Sequence, residues 1–192
     1  VGTLVRGSAA TRAGAGIAHA AAATLAGALT GLAVGSVGGL LPLEWPDRLL
    51  VLALVTVSYG AMELGLVRLP LPQSGRQVPA QWRYRYPPMV TAALYGALLG
   101  PGVGTRVADA GYVVILAGAA LLGDAVTGTA ILGTYGAARG LSAVILANAG
   151  PEGSPGPVLW GLDRGPVWRA LSTALTFAVL GAAVAATVEA MA

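Results

Sequence analysis

Cysteine and lysine are both absent from the 192 residues, and histidine occurs once. Without a thiol the chain cannot itself exchange disulfides or hold a metal through thiolates, and one imidazole offers little to a transition metal. Charge is scarce too. Charged residues make up 10% of the chain, against roughly a quarter in a soluble domain. The 11 basic residues are all arginines scattered between apolar runs, and a chain without a basic patch is a poor ligand for nucleic acid. Catalytic groupings are missing as well. Ser58, Thr105, Thr127, Thr129 and Thr134 have no general base beside them in sequence, and hydroxyls in apolar helices usually bond their own backbone. The glycines at 100, 102 and 104 lack the strand and lysine of a phosphate loop. The sequence therefore predicts no enzyme activity, no metal and no cofactor.

What is present is apolar: 56% of the residues are hydrophobic, with 29 glycines and 12 prolines. This balance predicts an all-α, polytopic membrane protein forming one transmembrane domain over 1–192. A crossing takes about 20 apolar residues, and five runs qualify, at about 13–41, 49–67, 88–122, 125–148 and 168–192. The third contains Gly100-Pro101-Gly102, where a missing donor and loose glycines predict a broken helix. Arginines at 6, 12, 68, 76, 83, 85, 164 and 169 fall on one side if five helices alternate, while Arg48, Glu44, Asp47 and Asp124 fall on the other. The positive-inside rule then places the protein in the inner cell membrane as a multi-pass chain, N-terminus cytoplasmic and C-terminus outside. The first run is longer than a signal-peptide core of about 7 to 15 residues. The chain starts with Val rather than Met, which leaves residues upstream of Val1 an open question.

The ordered features from Asp47-Arg48-Leu49-Leu50, through Leu66-Val67-Arg68-Leu69-Pro70, Pro87-Pro88 and Tyr95-Gly96-Ala97-Leu98-Leu99-Gly100-Pro101-Gly102-Val103-Gly104-Thr105, to the small-residue run at 128–141 resemble the CcdA/DsbD family. Members of that family carry reducing equivalents across the bilayer for cytochrome c maturation and periplasmic disulfide reduction. The resemblance implies that the five runs are similar to helices two to six of the family's six-helix fold. It also implies a break in mid-membrane. The family's second redox cysteine follows a proline at this break, and Gly102 stands in its place, so the redox role does not carry over.

Charges at membrane depth are functional hypotheses by default. Arg106 and Asp109 follow the break three residues apart, on one helix face. With Pro101, Gly102, Thr105 and Arg139 they are the expected substrate or pore residues of a small-solute or ion transport or transfer module. A buried ion pair that only holds the break in shape is the alternative. Arg139 would pair with Asp109 or Glu63, or snorkel to the interface. Glu63 is expected to pair with Arg68, His19 to pack through a hydrogen bond, and Asp124 to cap a helix.

The loop over 70–88 interleaves Arg76, Arg83 and Arg85 with Trp82, Tyr84 and Tyr86. It reads either as a docking surface for a partner protein or anionic lipid, or as an interfacial anchor. Gly27, Gly31, Gly35 and Gly39 form a stripe that permits close helix contact, in the chain or with another subunit. Hence the competing functional expectation is a structural accessory subunit or assembly factor of a larger membrane complex. It would contact the bilayer and a partner membrane protein or a second copy, with any link to cytochrome c or thiol maturation relying on a partner's thiols.

Overall fold

A computed structural model describes residues 9–71, 81–102 and 110–148. They form α1 (Ala9–Gly39), α2 (Trp45–Glu63), α3 (Trp82–Arg85), α4 (Pro88–Leu99), α5 (Gly111–Leu121) and α6 (Ala125–Asn148). Local sequence explains the starts. Proline opens α2 and α4, where its missing N–H is of no consequence and its fixed φ suits the first turn. The Asp124 carboxylate accepts the Thr127 N–H at 2.5 Å and caps α6, as its position in the sequence indicates.

α1 is the central rod. Its glycine stripe lies on α6: a Cβ on Gly27, Gly31 or Gly35 would overlap the carbonyl oxygens of Leu132, Gly128 and Asp124 in turn. The partners descend in number as α1 ascends, so the two helices are antiparallel with their backbones in contact, the arrangement that small residues allow. On another side of α1, Gly96 sits against the His19 carbonyl and Gly100 against that of Ala23. Both numbers rise together, so α4 runs parallel to α1. Farther along, Gly38 meets the Ala120 carbonyl at the end of α5. α4 and α5 therefore lie one after the other along α1, and α2 packs beside α5. The buried interior is correspondingly fine-grained, with Ala15, Ala23, Ala92, Ala110 and Ala119 among its members.

The five-crossing expectation is not supported. Among the described residues only α1 is long and apolar enough to cross a membrane. Counting apolar runs fails for a physical reason in each other case. The run over 88–122 is two helices, α4 of 12 residues and α5 of 11, or roughly 18 and 17 Å at 1.5 Å per residue. α2 has Asp47 and Arg48 in its first turn and ends on Glu63. α6 reaches 24 residues but is diluted by Gly, Thr, Ser and Arg139, which transfer poorly to hydrocarbon. The run at 168–192 lies outside the described residues.

Candidate functional site

The chain leaves helical geometry at the Gly100-Pro101-Gly102 sequence, and one arrangement of side chains gathers there. Gly102 adopts φ +78°, which side-chain-bearing residues rarely tolerate. A Cβ would also strike the Tyr112 ring, 2.6 Å from Cζ. Tyr112 is 1% exposed, and its hydroxyl donates to the Pro101 carbonyl oxygen at 2.5 Å. That satisfies an acceptor the broken helix leaves behind. The Tyr112 ring lies 5.1 Å from that of Tyr135, tilted by 39°. Arg139 Nη1 donates to the Tyr135 hydroxyl at 2.9 Å, with its guanidinium carbon 5.9 Å from the centre of the same ring. Such a tilted pair and cation–ring contact are the favourable geometries for these groups.

Of the residues expected to form a central site, Pro101, Gly102 and Arg139 thus belong to one network, linked by two tyrosines that sequence reasoning missed. Thr105, Arg106 and Asp109 lie outside the described residues, as does Arg76. Trp82, Arg83 and Arg85 form α3, away from the break at the end of the bundle where α4 begins. The network can donate hydrogen bonds through hydroxyls and a guanidinium. Among the described residues no group of three or more His, Asp or Glu is placed to hold a metal.

Two further polar residues fasten the helices. Glu63 Oε1 accepts the Ala110 N–H at 2.8 Å, 47 positions away, tying the end of α2 to the start of α5. Arg48 is the larger surprise. Its Nε donates to Leu43 O at 2.9 Å, Nη1 to Gly38 O and Leu121 O at 3.1 Å each, and Nη2 to Leu41 O at 2.9 Å. One fork thereby serves carbonyls at the C-terminal ends of α1 and α5, where both helix dipoles favour a cation. Gly123, at φ +63°, is the neighbour that makes room, because a Cβ there would crowd Arg48. The only sequence signal was an arginine stranded in an otherwise acidic turn.

His19 is buried at 2% exposure and its Nδ1 pairs with the Ala92 carbonyl at 3.1 Å, a packing role between α1 and α4. The Asp124 carboxyl is held below the usual carboxylate range, chiefly by hydrogen bonds from the Thr127 side chain and backbone. Thr24, Thr30, Thr56 and Thr129 each return their hydroxyl to the carbonyl four residues earlier, as hydroxyls in apolar helices do.

No family profile matches the chain and no solved structure matches it. Its relatives lie elsewhere than the CcdA/DsbD family, whose likeness rested on Gly, Ala and Leu patterns that any tightly packed apolar helix bundle requires. The transport or transfer module inferred from that resemblance loses its basis with it. The chain is similar to Methylamine utilization protein MauF of Paracoccus versutus, 32% identical over 130 residues that make up 68% of this chain and 47% of the relative. It is also similar to proteins of the same name from Methylobacillus flagellatus, 30% identical over 129 residues (66% and 46%), and Paracoccus denitrificans, 35% identical over 104 residues (54% and 38%). The chain thus matches less than half the length of the MauF proteins it is similar to.

Proposed function

We propose that the protein is a non-catalytic accessory or assembly factor for methylamine utilization, held at the cell membrane by α1 and working through a partner protein. The observation that carries this reading is the similarity to MauF proteins over two thirds of the chain. The architecture is in keeping with it. The polar side chains described in most detail, Arg48, Glu63, Tyr112 and Asp124, bond backbone groups of the chain itself, which is how a scaffold uses them. Large apolar side chains meanwhile face outward: Leu25, Leu29 and Val37 of α1 are 63–66% exposed. Exposed apolar surface of this extent fits lipid and partner contact.

The test is genetic and biochemical. Deleting the gene in its host is expected to stop growth on methylamine while sparing growth on other substrates. The tagged full chain is expected to co-purify, in mild detergent, with a stoichiometric partner whose own loss also stops growth on methylamine. Undiminished growth of the deletion strain, or turnover of methylamine by the purified chain alone, overturns the proposal.

A further inference from the structure

We infer that the turn Trp82–Arg85, with Tyr86, Met89 and Val90 beside it, is the surface on which the chain docks its partner protein, and that the partner offers it an acidic segment. This deepens the accessory reading above and rests on it for the existence of a partner.

Acidic residues are missing from a long part of the sequence. Between Glu63 and Asp109 there is none, while five arginines fall there, at 68, 76, 83, 85 and 106. The fold does not bring the described carboxylates back to α3. The Met89 methyl lies against Gly14, so α4, and α3 just before it, stand at the N-terminal end of α1 beside Arg12. Asp124 lies against Gly35, and Glu44 and Asp47 flank Arg48, which bonds Gly38. From Gly14 to Gly35 is 21 residues of continuous helix, or about 31 Å. Physiological salt screens exposed charges over about 8 Å. Glu63 is nearer, but the 12 residues of α4 stand between it and α3, about 18 Å of helix, and its Oε1 already accepts the Ala110 N–H. The two remaining described charges are cations. Arg68 is exposed five positions after Glu63, and Arg139, next to the Gly140 that packs on Ala20, is bonded to Tyr135. The field at α3 is therefore positive, and the described carboxylates lie too far away to cancel it.

The turn is also held in shape. Trp82 stacks on Tyr95 with ring centres 6.0 Å apart and 25° between planes. The Thr91 hydroxyl lies 3.1 Å from Trp82 O and 3.2 Å from Tyr86 O, and the Tyr86 N–H donates to Trp82 O at 3.1 Å. α3 is therefore pinned to α4, although it is only a single turn. Beyond that anchor Tyr84 is 84% exposed, with the Arg83 guanidinium carbon 5.3 Å from the centre of its ring. Arg85, Met89 and Val90 are exposed as well. Tryptophan, tyrosine and arginine dominate the hot spots of protein interfaces, and a surface ordered beforehand loses little freedom on binding. A guanidinium takes a carboxylate through two parallel bonds, so arginines alternating with rings fit a segment in which Asp or Glu alternates with apolar side chains. Anionic headgroups respond to the number of charges near them and gain nothing from a fixed turn, which favours a protein as the occupant.

The full chain with Tyr84 replaced by the photo-crosslinker p-benzoylphenylalanine, illuminated in its host, is expected to join to one protein through a peptide that contains Asp or Glu. With that protein purified, Arg83→Gln/Arg85→Gln is expected to raise the Kd about tenfold, as for the loss of two exposed ion pairs, and Arg83→Lys/Arg85→Lys should keep most of the affinity. Arg83→Glu/Arg85→Glu should abolish binding, and a partner whose cross-linked acidic residues are changed to arginine should recover it for this variant alone. Circular dichroism verifies that the variants remain folded. The inference is overturned by an absent cross-link, by a cross-link to lipid, to a second copy of the chain or to a peptide free of Asp and Glu, by an unchanged Kd in the glutamine variant, or by a charge exchange without recovery. Growth of the deletion strain on methylamine, with the cross-link and the charge exchange intact, would instead remove the accessory reading and leave the acidic docking surface standing.

Discussion

Replacing Gly31 with alanine tests the contact on which the whole packing arrangement depends. A Cβ built on Gly31 lies 2.5 Å from the Gly128 carbonyl carbon and 3.0 Å from Thr129 Cα, whereas carbon atoms rest at about 3.5–4.0 Å. These are backbone atoms, so no side chain can swing aside, and α1 and α6 must part by roughly 1 Å. Such a gap forfeits about a quarter to a half of each neighbouring dispersion contact, and the neighbours here include the equally close Gly27 and Gly35 crossings. Overpacking of this kind costs about 1–3 kcal/mol, while alanine recovers about 0.5–1 kcal/mol of helix entropy. The expected net loss is about 1–2 kcal/mol, a fall in Tm of roughly 2–8 °C for a chain of this length. Gly118→Ala is the matched control: a Cβ there meets nothing within 4 Å, leaving only the helix-entropy gain, so its Tm should hold or rise. Both are read by thermal melts in detergent followed by circular dichroism. A Gly31→Ala protein that melts with or above Gly118→Ala would refute the backbone contact between α1 and α6.

Arg48→Gln should destabilise by about 2–3 kcal/mol, because charge-assisted bonds to the ends of two helices are lost. Arg48→Lys should recover little, since an ammonium cannot present the fork, and equal melts for Lys and Arg would contradict this. Tyr112→Phe keeps the ring against Gly102 but leaves the Pro101 carbonyl unpaired, an expected cost of about 1–3 kcal/mol; an unchanged denaturation midpoint would argue against the bond. The Asp124 cap has a defined pH sense. Its carboxyl is held low in the folded chain, so its stabilising effect is full above the ordinary carboxylate range and is lost as pH falls through the lowered value. Protection of the Thr127 amide, its exchange normalised to the intrinsic rate at each pH, should fall on acidification in the wild type and hold in Asp124→Asn, whose amide still caps; matching profiles would refute it.

Features carried by local spacing were legible before the fold. The four-residue glycine period already indicates a close helix contact, since a smooth stripe follows from 3.6 residues per turn alone. Asp124 reads as a cap because the Asx bond to the third residue on is local, and the Gly100-Pro101-Gly102 break follows from missing donors and side chains. What stayed hidden was non-local or depended on summed hydropathy. Five apolar runs looked like five crossings because counting treats Gly, Ala, Thr and Tyr as uniformly apolar, and because the run over 88–122 was counted as one crossing despite its predicted break, whereas α4 and α5 are separate short helices.

The amino-acid order by itself therefore determined that this chain is helical, poor in charge, free of thiols and packed through small residues, for these follow from composition and periodicity. Only the tertiary structure decided that Arg48 serves carbonyls at positions 38, 41, 43 and 121, that Glu63 reaches Ala110, and that Tyr112 closes the break at Pro101. The physical reason is that a hydrogen bond depends on where two groups stand in space. Partners separated by as many as 73 positions meet because glycine backbones let α1, α4, α5 and α6 approach closely enough to bring them together.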